Sequence, residues 1–197
     1  MPAKRASKQR PSRLPPIPGD QLTTEQQALI DAIQSGPRGK TAMQGPFAVY
    51  LQAPEYGQLA QALGGHCRLR TSVPPRLSEF AILVTARHWR AQYEWFAHAR
   101  IAESSGIKAS TVKAIHAGRT PKGLPKDEQA IYDFIKELYG SRRVSDRTYK
   151  QVQAVLGDAG TVELVGILGY YALVAMSLNV FRMPVPEGEP LPFAETP

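Results

Sequence analysis

Glu94 and His98 stand four residues apart, so on a helix they share one face, a turn from each other. Glu79 precedes them inside a separate apolar stretch, LSEFAILV at 77–84. The neighbours of the pair are large and mostly apolar (Trp89, Tyr93, Trp95, Phe96), which argues against a solvated face. Two carboxylates and an imidazole withdrawn from water acquire displaced proton affinities, and such groups suit general acid–base work. The plainer alternative makes Glu79 a first-turn carboxylate favoured by its helix dipole and Glu94 half of a surface pair with Arg90 or His98. His88, Glu94 and His98 match no standard zinc spacing, so no metal is expected. His66 falls in an expected loop beside Cys67, and His116 closes a short helix, where an imidazolium suits the dipole.

The elements that hold these residues follow from where proline falls. Of 17 prolines, most sit at the two ends of the chain, and the remainder punctuate the middle. Proline breaks a helix interior but is tolerated in its first turn, so the gaps between prolines are the candidate helices. They are expected at about 24–34, 47–52, 54–63, 76–88, 91–105, 110–116, 125–142, 146–156 and 159–181. Thr23 or Thr24 caps the first, with Gln26 or Gln27 in the capping-box position. Gly64-Gly65 is read as the stop of the third, and Gly106 closes the fifth. The helix at 76–88 is apolar nearly all round, the mark of a buried helix. No segment alternates as a strand does. The fold class is therefore all-α, with about eight helices and no sheet.

At 197 residues one domain is expected, with enough chain to bury a core. Residues 1–19 carry Lys4, Arg5, Lys8, Arg10 and Arg13 and no acid, which accounts for +5 of the net charge of +7. The organisation expected is a basic, Pro-rich, disordered arm over 1–19, a helical domain over 20–183 and a Pro-rich tail over 184–197. The domain itself is close to neutral, so a nucleic-acid partner is not expected. One cysteine, Cys67, rules out an intramolecular disulfide and a Cys-rich zinc site and fits a reducing, cytoplasmic setting. Residues 164–181 hold no charge, a length that would admit a membrane span. Gly166, Gly169, Ser177 and Asn179 within that run favour a core helix or a subunit interface instead.

Several segments together carry a family resemblance: RLSEFAIL at 76–83, YEWFAHA at 93–99, A-x-x-x-G at 102–106 and TVELVGILGYY at 161–171. They resemble the carboxymuconolactone decarboxylase family, whose all-helical fold is shared with the alkylhydroperoxidase D proteins. The resemblance spans roughly residues 45–185 and implies an alkylhydroperoxidase D-like helical bundle. In the peroxidase branch a helix glutamate is followed by C-x-x-C, then by a histidine four residues after the second cysteine. By position the glutamate falls on Glu79 and the histidine on His98, but Ala91 and Glu94 occupy the cysteine positions. A thiolate is the nucleophile of that chemistry, and neither residue replaces it.

The decarboxylase branch implies loss of carbon dioxide from a small unsaturated acidic lactone, with no cofactor. On that reading His98 donates and relays the proton, Glu94 orients it or acts as a second acid–base group, and Glu79 holds the imidazole from the neighbouring helix. Arg87 and His88 are the expected anchors for a small anionic substrate, and Tyr93 and Trp95 flank the site. The alternative for Arg87 is a structural ion pair with Glu79, since it lies about two turns on. The resemblance also implies a homo-oligomer (dimer, trimer or hexamer). Two other readings stay open: a peroxiredoxin-like antioxidant working through Cys67, and a non-catalytic module whose basic arm recruits an acidic partner.

Overall fold

Helix α4 (Pro75–Trp89) is the axis on which the other elements are laid. Pro75 occupies its first turn, where a missing N–H costs nothing. From Leu77 to Ala86 every residue is buried, including Ser78, Glu79 and Thr85. A helix apolar on all sides must be wrapped by others, and α4 packs against α5 (Gln92–Ser104), α6 (Ala109–His116), α7 (Lys126–Ser141) and α8 (Asp146–Phe181). The computed structural model describes residues 9–36, 39 and 43–195, and among them there is no strand.

A smaller layer covers one end. Helices α1 (Thr24–Gln34), α2 (Pro46–Tyr50) and α3 (Pro54–Leu69) enclose their own apolar cluster of Leu29, Ile30, Ile33, Val49, Tyr50, Leu51 and Ala60. Thr23 caps α1 through a reciprocal box with Gln26, as the sequence predicts.

One sequence-predicted boundary changes. The third helix does not stop at Gly64-Gly65 but continues to Leu69. A Cβ at Gly64 would stand 2.0 Å from the hydroxyl oxygen of Tyr170, so the glycine admits a tyrosine of α8 rather than ending a helix. The segments at 146–156 and 159–181 are two helices, as expected, joined within α8 by a kink at Gly157 (φ 68°, ψ −176°), a conformation that glycine alone adopts readily. Ser145 caps its start, its hydroxyl accepting from the Thr148 N–H.

After the break, α8 presents Leu164, Ile167, Leu168, Tyr171, Val174 and Leu178 to the core. Its other side leaves Val162 at 72% and Val180 at 51% exposure. This helix is long and apolar enough to cross a membrane, yet one face of it forms the core against α4. The N-terminal segment runs back over its end. Arg13 N–H and the Ser12 hydroxyl both donate to the Phe181 carbonyl, and Arg13 Nη1 donates to that of Val180. Lys4, Arg5 and Lys8, counted with the basic arm, lie outside the described residues.

Candidate active site

Glu79 and His98 meet across the α4–α5 interface. His98 Nδ1 lies 2.7 Å from Glu79 Oε2, and both side chains are buried. A carboxylate oxygen only accepts, so Nδ1 carries the hydrogen and Nε2 is the nitrogen left for other chemistry. The ring of Tyr171 stands edge-on to the imidazole at 5.1 Å and fixes it from α8.

Glu94 lies one helical turn before His98. Ala91 is the N-cap of α5, so Glu94 falls in the first turn rather than a turn inside, as a start at residue 91 would have it. The helix dipole favours a carboxylate there by about 0.3–1 kcal/mol at exposed sites. Burial outweighs it. Glu94 is 2% exposed, neither carboxyl oxygen has a hydrogen-bond partner among the described residues, and desolvation raises its pKa well above the ordinary carboxylate value. Burial therefore favours the protonated, uncharged form of this side chain.

A cavity of about 360 Å³ opens beside these groups. Glu94, Ala97, His98 and Ile101 line it from α5, the repeat of one helix face, and Tyr170, Tyr171, Val174 and Leu178 line it from α8. Tyr93 contributes to the wall, and burial raises its phenol pKa. Its ring lies against Gly45, where a Cβ would come within 2.4 Å of Cε1. Glu79 stands behind His98 and does not line the cavity. The volume is at the small end of ligand pockets, and its walls are mainly aromatic and aliphatic.

The cation at this cavity is Arg68, the penultimate residue of α3. Its charge is felt at the Tyr171 hydroxyl, where it partly opposes the upward pKa shift caused by burial. Among the described residues Arg68 has no carboxylate partner. Sequence reasoning missed it because α3 was ended at Gly64-Gly65. With the helix continued, Arg68 falls four residues after Gly64 on the face that meets α8.

Arg87, His88 and Trp95 are not brought to this cavity. Eight residues advance a helix by two turns plus about 80°, so Arg87 cannot share the face of Glu79. Its Nε donates to the His116 carbonyl at 2.9 Å, and its guanidinium lies 5.3 Å over the Phe193 ring. The alternative ion pair with Glu79 is therefore not formed. His88 stacks on Tyr139 with ring centres 4.5 Å apart, and burial, with Lys136 adding to it, lowers its pKa. Arg87 and His88 line a different cavity of about 330 Å³. Trp95 packs against the stacked rings of His116 and Phe193. Cys67 is buried on α3 and lies outside the lining of the Glu94–His98 cavity. Among the described residues no group of three His, Cys, Asp or Glu side chains could hold a metal ion.

Known structures share this architecture. An uncharacterized peroxidase-related protein from Ralstonia eutropha JMP134, described as an alkylhydroperoxidase AhpD core, superposes with a TM-score of 0.73 at 15% identity, covering 89% of this chain and 93% of that one. A peroxidase-related protein from Silicibacter sp. TM1040 gives 0.69 at 13% identity, with 90% and 93% covered. A protein of unknown function from Agrobacterium tumefaciens, described as a candidate AhpD antioxidant-defence protein, gives 0.61 at 14% identity, with 70% and 96% covered. No protein-family model matches the sequence, and no curated protein matches it. The likeness establishes the fold, which is alkylhydroperoxidase D-like.

Proposed function

We propose that this chain, with its alkylhydroperoxidase D-like fold, is a cofactor-independent acid–base enzyme that decarboxylates a small carboxylic acid, such as an acidic lactone or a β-keto acid. One observation carries the reading: Glu94, whose protonated form burial favours, lines the same cavity as His98, whose tautomer is set by Glu79. A buried carboxyl with no partner is costly, and a role as proton donor accounts for its being there.

In this reading Arg68 anchors an anionic group of the substrate. The carbon–carbon bond to the departing carboxylate breaks and carbon dioxide leaves. The electron pair stays on carbon, conjugated with the substrate's carbonyl, and that carbon takes the proton of Glu94. The apolar walls favour loss of a charged carboxylate as neutral carbon dioxide. Glu94 then recovers a proton through His98, so one proton is consumed per carbon dioxide released. The test is carbon dioxide release over a panel of acidic lactones and β-keto acids. Glu94→Gln and His98→Ala each lose at least about a hundredfold in kcat, in line with removal of a general acid. Full turnover in both variants would end the assignment.

The second reading takes its motive from the names of the structural neighbours, two peroxidase-related proteins and a candidate antioxidant protein. Thiol-based peroxide reduction in this chain would have to run through Cys67, which lies away from the cavity. It requires peroxide consumption with a thiol reductant that vanishes in Cys67→Ser. The acid–base reading requires that Cys67→Ser leave turnover intact.

We also propose a homo-oligomer formed through α3 and the far side of α8. Leu59 and Val162 are each 72% exposed, and Leu63, Val165 and Val180 extend this apolar surface over two helices that pack together.

A further inference from the structure

A second pocket, of about 260 Å³, lies at the ends of the chain and shares only Tyr93 and Leu178 with the cavity above. Four arginines line it: Arg10 and Arg13 from the N-terminal segment, Arg90 at the end of α4 and Arg182 at the end of α8. Among the described residues the only acid in its wall is Glu195 of the C-terminal segment, 3.9 Å from Arg10.

The charge does not cancel. Each of the two helix C-termini supplies about half a negative charge. With Glu195 they offset two of the four guanidinium charges and leave about +2 in a concave space, where low-dielectric walls focus the field. The carbonyls at these ends are already served. Val180 O accepts from Arg13 Nη1, Phe181 O from Arg13 N–H and Ser12, and Trp89 O from Asn179 Nδ2. Arg90 Nη2 donates to Ala194 O, and Arg182 has no ion-pair partner among the described residues. Trp89 forms part of the wall, and its indole N–H is buried with no acceptor among the described residues. Donors and positive charge are therefore both in excess at one place.

Arg90 (φ 51°) and Arg182 (φ 53°) hold left-handed C-cap positions that glycine fills more easily. Arg142 holds the same position at the end of α7, away from the pocket, so the conformation is not particular to this site, but at Arg90 and Arg182 it places a guanidinium in the pocket wall.

We propose that the two chain ends, with the termini of α4 and α8, form a binding site for a small oxyanion, the carboxylate or phosphate group of a metabolite. Planar guanidinium forks match either group bidentately. This is a role for the basic arm that the acid–base reading neither uses nor requires.

The test is calorimetric titration of the full chain with inorganic phosphate and, separately, succinate, at constant ionic strength set with sodium chloride. Saturable binding of either is expected. Phosphate alone identifies a phosphate-bearing ligand, succinate alone a carboxylate, and both a general oxyanion site. Arg182→Gly and Arg90→Gly should weaken binding about tenfold each, the loss of one charge-assisted contact. Glycine relieves the left-handed strain, so both variants should melt at or above the wild-type temperature. If either melts lower, asparagine at the same position (Arg90→Asn or Arg182→Asn), also tolerated in that conformation, replaces it. No saturable binding of either anion, or equal affinity in wild type and the arginine variants, overturns the proposal.

Discussion

His98 Nδ1 and Glu79 Oε2 lie 2.7 Å apart between two helices, and both side chains are buried. Removing one partner strands the other. Glu79→Ala leaves the Nδ1–H of a buried imidazole without its acceptor and should cost about 1–3 kcal/mol. Glu79→Gln keeps an acceptor for Nδ1–H and should cost well under half as much, while still lowering kcat by weakening the hold on the imidazole. Denaturant unfolding of the two variants checks the ordering, and equal costs would contradict it.

Glu94 gives stability a pH dependence of known sign. Its folded-state pKa is raised by burial, so the folded chain holds a proton that the unfolded chain gives up near the ordinary carboxyl value of 4.5. Its stabilising contribution is complete below that pH and is lost as pH rises toward the folded-state pKa. Glu94→Gln removes the titration. The variant should match wild type near pH 4 and gain on it progressively through neutral and alkaline pH, as read from melting temperatures across that range.

Arg68 and Arg87 separate two assignments. Arg68 lines the cavity, whereas Arg87 is bonded to His116 on the other side of α4. With a substrate from the decarboxylation panel, Arg68→Ala should raise KM by about tenfold to a hundredfold, the loss of a charge-assisted contact. Arg87→Ala should leave kcat/KM within about twofold and cost about 1–3 kcal/mol of stability through its carbonyl partner and packing. The reverse pattern would return the anion site to Arg87.

The exposed apolar surface of α3 and α8 predicts an assembly. Light scattering at micromolar concentration should give a mass of at least two chains, and Val162→Glu, a charge in the middle of that surface, should shift it toward one. A monomeric wild type would contradict the interface.

Much of this fold was legible because its signals were local. The apolar run at 77–84 behind Pro75 marked α4 as the buried helix, and the Gly157 break divided α8 much as the gap between 156 and 159 implied. Gly64 misled because a glycine in a helix can end it or make room, and only Tyr170, more than a hundred residues away, decides which. Arg68 was lost with that boundary. Arg87 was misplaced by an angle: two turns is 7.2 residues, and eight overshoots the face. The four-residue spacing of Glu94 and His98 brought them to one cavity, but the missing partners of the Glu94 carboxyl depend on packing that no spacing encodes.

The central claim is that Glu94 is a neutral carboxylic acid at working pH. Infrared difference spectroscopy of wild type against Glu94→Gln at pH 7, in ordinary and heavy water, tests it directly. The account predicts a protonated carboxyl C=O stretch that shifts in heavy water and is absent from the variant. A wild-type spectrum with only the carboxylate stretch at that position would contradict it.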